Sequence, residues 1–306
     1  MPSPQDSPPQ HPTPQSPGTG PTVGVIGLGV IGDGVAGSVN AAGLPLVVFD
    51  VRTEATDRHA DHATVADSPA EVARAADVVV VAVVNDEQVH AVLSGPDGGL
   101  VAGGQSTTFV VVSTITTECV RAIGAEADAA GTSVVDCGVS GGPAAAAAGE
   151  LICMVGGDDD VLERLAPLFD AMSSLTVRMG PFGTGLAAKL ARNLVQYGSW
   201  LAAYEGQMLA EAAGIELAKL SQVIKASDAK IGGASTLMFR ATVAPFTERD
   251  DAGLVGAMRT GADLAHKDLQ AALALADELD VDLPLAAMTE DRTDDIFGLG
   301  AMKEKR

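Results

Sequence analysis

Short apolar runs alternate with longer helical stretches over residues 22–182 of the chain. Seven runs have the length and apolar character of strands, namely residues 22–26, 46–50, 78–84, 109–112, 133–136, 151–155 and 175–177. The run 78–84 is apolar at every position, as expected of a strand buried on both faces of a parallel sheet. Helical stretches separate most of the runs, and one of them starts at a Ser68 cap followed by Pro69. This alternation predicts a doubly wound α/β domain over residues 22–182.

The pattern changes beyond residue 182. Stretches over residues 186–213, 217–227, 262–279 and 285–297 have helical spacing, and no further strand is indicated. We therefore expect an all-helical second domain over residues 183–306. Residues 1–21 hold eight Pro and a single acidic side chain, a composition that cannot bury enough apolar surface to order the segment. The sequence predicts a disordered Pro-rich tail there.

Acidic side chains outnumber basic ones by 40 to 19, which gives a formal net charge of −21. Such a surface repels a phosphate backbone and an anionic bilayer, so we expect neither nucleic acid nor membrane as a partner. No apolar run approaches the ~20 residues that a membrane-spanning helix needs. The three Cys form no CxxC pair, which favours reduced thiols in a cytoplasmic protein.

Histidines offer a possible metal site at one place. His59 and His62 have the spacing of metal ligands, but they stand in a polar segment without a third histidine. We expect a solvated helix face there and no bound metal. His266, in a predicted helix, is interpreted as structural.

A glycine-rich loop follows the first predicted strand and opens the first helix, with the sequence Gly27-Leu28-Gly29-Val30-Ile31-Gly32. In this context Gly27 permits a tight turn, Gly29 lets a pyrophosphate approach the backbone, and Gly32 allows close packing of the helix. The helix N-terminus faces the negative charge. The loop predicts a Rossmann-type dinucleotide-binding domain; the alternative is a purely structural turn.

An acidic residue stands where the second strand ends, 18 residues after Gly32. Asp50 would hold the ribose hydroxyls of NAD and repel the 2′-phosphate of NADP, so we expect NAD as the cofactor, with NADP as the alternative. Arg52 is either a solvated side chain at a helix start or a contact to that phosphate. If residues 51 and 52 were helical, the Arg52 side chain would be rotated by about 100° around the helix axis from that of Val51. It would then point away from the 2′-phosphate of NADP.

Two further motifs suggest a substrate site. Ser140-Gly141-Gly142 follows a predicted strand and offers a hydroxyl and successive backbone N–H groups that suit a carboxylate. Lys189 and Asn193 are four residues apart on the next long helix, hence on one face. A lysine among Ala and Leu is either an acid/base group made more acidic by desolvation or an ordinary lysine at the rim of a core helix.

Together these motifs resemble those of the β-hydroxyacid dehydrogenase family, which includes 3-hydroxyisobutyrate dehydrogenase and tartronate semialdehyde reductase. Four signatures occur in the family's order over about residues 22–300. They are the glycine loop, the Asp136…Ser140-Gly141-Gly142…Gly149 motif, GxGxxxKxxxN at residues 183–193, and Lys267-Asp268-Leu269.

The resemblance implies an NAD(P)-dependent dehydrogenase of small 3-hydroxy acids with Lys189 as the catalytic acid/base. It places Ser140, Gly141, Gly142 and Asn193 at the substrate, and residues 24–38, Thr114 and Lys267 at the cofactor. It also implies a homodimer or larger homo-oligomer in which the helical domain completes a neighbour's surface. The expected small-molecule partner is therefore a hydroxy acid.

Some positions depart from the family pattern. Val83 and Val84, on the nicotinamide side, stand where the family often has Leu-Pro, and Arg192 stands where many members have Asn. The 6-phosphogluconate dehydrogenases have His at that last position, which argues against their substrate here. Imine reductases share the fold but usually lack the lysine, so Lys189 argues against them. An imine reductase or other reductase on the same fold, and a non-catalytic NAD(H)-sensing scaffold, are the alternative functions.

Overall fold

The computed structural model describes residues 20–234, 236 and 242–300. Most of the predicted tail, residues 1–21, lies outside the described residues. The chain divides into two compact units, Met1–Ala191 and Arg192–Arg306.

The first unit contains one eight-stranded sheet. Its strands are β1 (Val23–Ile26), β2 (Leu46–Phe49), β3 (Thr64–Val65), β4 (Val78–Val81), β5 (Thr108–Val111), β6 (Ser133–Ser140), β7 (Leu151–Gly156) and β8 (Ser173–Gly180). The strand order is β3-β2-β1-β4-β5-β6-β7-β8, and every pairing is parallel except the antiparallel pair β6–β7. The order reverses between β1 and β4, and ligands bind beyond the carboxyl ends of parallel strands at such a point.

Helices occupy the connections between the strands. They are α1 (Val30–Ala41), α2 (Thr53–Thr56), α3 (Pro69–Ala75), α4 (Asp86–Ser94), α5 (Gly99–Gly103), α6 (Thr117–Ala130), α7 (Gly142–Ala148), α8 (Asp159–Arg164) and α9 (Ala166–Met172). As predicted, Ser68 caps α3, since its Oγ accepts the N–H of Glu71 at 3.2 Å. The fold class expected from the sequence, a Rossmann-type doubly wound α/β sheet followed by a helical region, is confirmed.

The core lies on both faces of the sheet. Val78 and Val80 of β4 belong to one buried cluster, and Val79 and Val81 belong to the other. This is why the sequence of β4 is apolar at every position, since successive side chains of a strand point to opposite faces. The strand ends at Val81, earlier than the predicted end at residue 84.

The second unit is helical in its described residues. Its elements are the later part of α10 (Thr184–Ala212), α11 (Leu217–Ile231), α12 (Ala252–Glu278), α13 (Pro284–Asp291) and α14 (Thr293–Ile296). The buried carboxylate of Glu205, in α10, accepts the N–H groups of Leu285 and Ala286 at 2.8 and 2.9 Å and so holds the start of α13. None of the described helices has the length and apolar character needed to cross a membrane.

The division between the units falls inside α10, after Ala191, whereas the sequence analysis placed a boundary after residue 182. The first turns of α10 belong with the sheet because they pack directly on its backbone. The Cα of Gly138, in β6, faces Lys189 so closely that a Cβ added there would lie 2.4 Å from the Lys189 Cβ.

One prediction about a histidine is wrong. His59 is buried at 5% exposure, not on a solvated face. Its Nε2 lies 3.0 Å from Oδ1 of Asp33, at the start of α1, and its Nδ1 lies 3.2 Å from Nε2 of His62. Among the described residues, no group of three or more His, Cys, Asp or Glu side chains is placed to hold a metal ion.

Candidate active site

The glycine loop links β1 to α1 at the carboxyl edge of the sheet. Gly27 has φ +91°, a conformation that other residues rarely adopt, and its N–H donates to the carbonyl of Phe49 at 2.9 Å. A Cβ on Gly32 would lie 1.8 Å from the carbonyl oxygen of Gly27. Gly27 is therefore required by the tight turn, and Gly32 by the close approach of α1 to the end of β1, as the sequence predicts.

Gly29 has a different environment, because a Cβ added there would meet no atom within 4 Å. It is the N-cap of α1 and has no side-chain cap, so the first N–H groups of this 12-residue helix are not bonded by a capping side chain. Leu28 is buried, Val30 is two-thirds exposed, and Ile31 packs against the core. A diphosphate fits this arrangement, since it can approach the backbone at Gly29 and accept from the helix N-terminus.

Asp50 directly follows β2 and is surrounded by donors. Its Oδ2 accepts the N–H of Leu28 at 2.7 Å, and its Oδ1 accepts the N–H of Arg52 at 2.9 Å. The Arg52 guanidinium donates to both oxygens, from Nε to Oδ1 and from Nη2 to Oδ2, each at 3.0 Å. Burial acts to raise the pKa of Asp50, but the hydrogen bonds from Arg52 and Leu28 outweigh it and hold the pKa below its ordinary value.

Arg52 stands at a helix start, one of the two interpretations that the sequence leaves open, and its side chain contacts Asp50. Arg52 is the N-cap of α2, with an extended backbone at φ −99° and ψ 113°. In extended chain, residues two apart point to the same side, so Arg52 lies beside Asp50. The helical rotation assumed in the sequence analysis does not apply at this residue.

A second arginine, which is not among the predicted site residues, also contacts the glycine loop. Nη2 of Arg58 lies 3.4 Å from the carbonyl oxygen of Leu28, and Nη2 of Arg52 lies 3.3 Å from that oxygen. Arg58 also donates to Oδ1 of Asp33 from Nε and Nη2, at 3.0 and 2.8 Å. Because Arg58 is far from the glycine loop along the chain, no local sequence pattern indicates this contact.

The loop after β4 is tied to the loop after β5. The N–H of Val83 donates to Oγ of Ser113 at 2.9 Å, and the N–H of Thr116 donates to Oδ1 of Asp86 at 3.1 Å. Val84 is 81% exposed. Thr114, also exposed, lies between these two contacts, and Thr116, not Thr114, caps α6. Val83, Val84 and Thr114 therefore lie at the carboxyl edge of β4 and β5, beside the glycine loop.

The predicted substrate loop begins on a strand. The predicted strand ends at residue 136, whereas β6 continues to Ser140 and pairs with β7. Asp136, Gly138 and Ser140 share one face because they alternate along the strand. Gly138 faces Lys189, so Ser140 lies on the same side of the sheet as that lysine. Ser140 is 8% exposed and sits at the end of the strand.

Two glycines with positive φ follow Ser140. Gly141 has φ +119° and Gly142 has φ +72°, so the chain turns sharply into α7. A Cβ on Gly142 would meet nothing within 4 Å, whereas one on Gly141 would lie 2.5 Å from the Cβ of Ala145. The turn leaves the backbone at Gly142 accessible to a small anion.

The remaining predicted residues lie on long helices. Lys189 and Asn193 are one turn apart on α10, and Oδ1 of Asn193 faces Nη1 of Arg192 at 3.4 Å. Lys267 belongs to α12 in the second unit, where its Nζ lies 3.1 Å from Oδ1 of Asp268. The structure thus brings Lys189 to the Ser140 face of β6, and it places Asp50 and Arg52 with the glycine loop.

The two parts of the chain match models of known protein families. Residues 22–180 match the NAD binding domain of 6-phosphogluconate dehydrogenase. Residues 183–297 match the NAD-binding domain of NADP-dependent 3-hydroxyisobutyrate dehydrogenase. The chain belongs to the β-hydroxyacid dehydrogenase family. It is an oxidoreductase with an NAD(P)-binding domain, and the glycine loop predicts this domain.

Individual members of this family are similar over most of the chain. An uncharacterized oxidoreductase of Mycobacterium tuberculosis is 40% identical over 274 residues, covering 89% of this chain and 92% of that protein. The NAD-dependent L-serine dehydrogenase of Pseudomonas aeruginosa is 35% identical over 206 residues, covering 67% and 69%. The crystal structure of an oxidoreductase from Mycobacterium avium superposes with a TM-score of 0.83 at 35% identity, covering 91% and 99%. An imine reductase from Myxococcus stipitatus shares the fold, with a TM-score of 0.75 at 18% identity.

Proposed function

We propose that this dehydrogenase-family protein oxidises small 3-hydroxy acids, of the size of 3-hydroxyisobutyrate, with NAD as the preferred cofactor and Lys189 as the general acid/base. The observation that carries the proposal is the contact between Lys189 and Gly138. It holds the lysine on the face of β6 that also bears Ser140, the residue that directly precedes the Gly141–Gly142 turn.

In this proposal, some site residues bind the substrate and Lys189 transfers its proton. The Ser140 hydroxyl and the backbone N–H groups of the following glycines hold the substrate carboxylate, which fixes the orientation of the hydroxyl carbon. Asn193 holds the substrate from the next turn of α10. Neutral Lys189 accepts the hydroxyl proton during oxidation, and charged Lys189 returns a proton during reduction.

The glycine loop and Asp50 would hold the dinucleotide. Gly29 and the start of α1 would take the diphosphate, and Asp50 the ribose hydroxyls. Val83, Val84 and Thr114 would line the nicotinamide side, and Lys267 would add a positive charge near the cofactor, as in the family pattern. A nicotinamide held there would supply the hydride acceptor for oxidation and the hydride donor for reduction.

The substrate class is supported by relatives. The similar proteins include an enzyme named for L-serine and others named for 3-hydroxyisobutyrate and 3-sulfolactaldehyde. Each name describes a small compound with a polar group near a hydroxyl or aldehyde carbon. This common feature agrees with an anion held at Ser140 and a proton transferred at Lys189.

We also propose that the protein acts as a homodimer or larger homo-oligomer. Several large apolar side chains of α10 are exposed, among them Leu194 at 75%, Tyr197 at 58% and Trp200 at 60%. Large apolar side chains that are exposed together on one helix are typical of a protein–protein interface.

The test of the proposed function is turnover. NADH formation should be followed with L-serine, 3-hydroxyisobutyrate, glycerate, threonate and 3-hydroxypropionate, and NADPH consumption with a set of cyclic imines. We expect turnover of at least one hydroxy acid. Turnover of imines alone would favour the imine reductase, and tight NADH binding without any turnover would favour a sensing scaffold.

A further inference from the structure

A buried carboxylate holds the start of the helix that carries Lys189. Asp136 is 2% exposed and lies on β6. Its Oδ1 accepts the N–H of Gly183 at 2.6 Å, and its Oδ2 accepts the N–H of Leu186 at 2.5 Å. Gly183 directly precedes α10 and Leu186 lies in its first turn, where the helix itself offers no acceptor for the N–H groups. Both oxygens of the side chain are therefore used to fix this end of the helix.

Three glycines let the helix start lie against the strands. A Cβ on Gly156 would lie 2.3 Å from Oδ1 of Asp136, and one on Gly185 would lie 2.5 Å from the Met154 carbonyl oxygen. A Cβ on Gly138 would meet the Cβ of Lys189. At these glycines the start of α10 packs closely on β6 and β7, and small changes at this contact must move the helix.

We infer that Asp136 is a positioning residue that sets the location of the Lys189 side chain through the start of α10. This inference rests on the proposed function, in which Lys189 transfers the substrate proton. Leu186, whose N–H is held by Asp136, precedes Lys189 by three residues, so the two are separated by less than one helical turn. Asp136 and the lysine-facing Gly138 are two residues apart on one strand face, about 6.6 Å along the sheet.

To hold the start of α10, both side-chain oxygens of Asp136 must act as hydrogen-bond acceptors. A carboxylate can accept two N–H groups, whereas the amide of an asparagine would place its own NH₂ against one of them. A negative charge also interacts favourably with the positive end of a helix. Burial raises the pKa of Asp136, and the N–H groups of Leu186 and Gly183 act in the opposite direction. The carboxylate therefore depends on these N–H groups to compensate for its burial.

The first experiment compares Asp136→Asn with Glu205→Gln. Glu205 is a matched control because it too is a buried carboxylate that accepts two backbone N–H groups at a helix start. In Asp136→Asn, amide hydrogen exchange should accelerate in peptides covering residues 181–190, while peptides covering α1 stay unchanged. The kcat should fall by about ten- to a hundredfold, because small misplacements of a catalytic group have effects of that size. The NADH dissociation constant and the substrate KM should change less than about threefold, and Glu205→Gln should keep its kcat.

The second experiment separates positioning from general damage. Asp136→Asn is combined with Lys189→Ala, and hydride transfer is measured in single-turnover experiments. If Asp136 acts through Lys189, the double variant is no slower than Lys189→Ala alone. If the two losses multiply in full, Asp136 acts in another way and the inference is wrong. Should Asp136→Asn not fold, Asp136→Ser, whose hydroxyl can accept one N–H, is used in the same cycle with the same expectation.

The outcomes also distinguish this inference from the proposed function. Wild-type kcat in Asp136→Asn, together with a large loss in Lys189→Ala, overturns the positioning role and leaves the function of Lys189 standing. Wild-type turnover in Lys189→Ala overturns both.

Discussion

The guanidinium of Arg52 covers both carboxylate oxygens of Asp50, with Nε 3.0 Å from Oδ1 and Nη2 3.0 Å from Oδ2. The ribose hydroxyls of NAD would donate to these same oxygens, so the hydroxyls would compete with the Arg52 guanidinium for Asp50. A cofactor with a 2′-phosphate would instead attract Arg52 away from Asp50 but bring its own negative charge to the carboxylate. Because Arg52 is more than half exposed, its side chain can move away from Asp50, and we therefore propose that the carboxylate of Asp50 decides the preference between NAD and NADP.

Cofactor choice gives the first prediction. Wild-type protein should use NAD with a kcat/KM at least about tenfold above that with NADP, a difference worth about 1.4 kcal/mol. Asp50→Asn should narrow this gap, and Arg52→Ala should widen it by removing a partner for the 2′-phosphate. Arg164→Ala, at an exposed arginine on α8, serves as the control. Equal or better use of NADP by the wild type would show that Arg52 serves as a phosphate ligand.

The glycine loop gives the second prediction. Gly29→Ala should fold with an unchanged melting temperature but bind NADH at least about tenfold more weakly, because the new methyl group would point into the space proposed for the diphosphate. Gly32→Ala should lower the melting temperature, since its Cβ would lie 1.8 Å from a carbonyl oxygen. Gly37→Ala on the same helix has open space and serves as the control. Normal NADH binding by a folded Gly29→Ala would contradict this location for the diphosphate.

The elements with a clear hydrophobic period could be predicted from the sequence. The central strands and the helix cap at Ser68 depend on local chemistry, and the structure has them where the sequence indicates. The glycine loop is also a local signal, because its function is carried by consecutive residues.

Features that depend on distant contacts could not be predicted. The strand β6 looked like a loop after residue 136 because it contains Asp136, Gly138 and Ser140, residues that disfavour strands. Their presence is explained only by α10, about 50 residues later, which packs on them. Similarly, His59 is buried by a contact with Asp33, 26 residues away.

The cysteines give the third prediction. Cys119, Cys137 and Cys153 are all free and at most 4% exposed. Burial, together with the charges of Asp86 and Glu126, raises the pKa of Cys119 to about 11, so almost none of it is thiolate at pH 8. In native protein at pH 8, none of the three thiols should react with a disulfide reagent at the rate of a free thiol. All three should react after denaturation. A thiol that reacts in the native protein at the rate of a free thiol would contradict the burial of the three cysteines.

The exposed face of α10 gives the fourth prediction. If Leu194 and Trp200 lie in a homo-oligomer interface, replacing both by Glu should yield monomers in light scattering, because unpaired charges in an apolar interface are costly. Val101→Glu, at a residue of α5 that is 85% exposed, is the control and should leave the mass unchanged. A wild-type protein that is monomeric at micromolar concentration would overturn the proposed assembly.

Lys189 is the residue on which the proposed mechanism depends most, and one comparison of variants tests its role directly. Turnover of the best hydroxy acid and NADH binding are measured in Lys189→Ala and in Lys219→Ala, whose lysine is exposed on α11. We predict that Lys189→Ala loses turnover by about 10²–10⁴-fold, the usual contribution of an acid/base group, while it binds NADH as the wild type does. Lys219→Ala should keep its turnover. If Lys189→Ala retains more than about a tenth of wild-type turnover, Lys189 does not transfer the substrate proton, and the proposed mechanism is wrong.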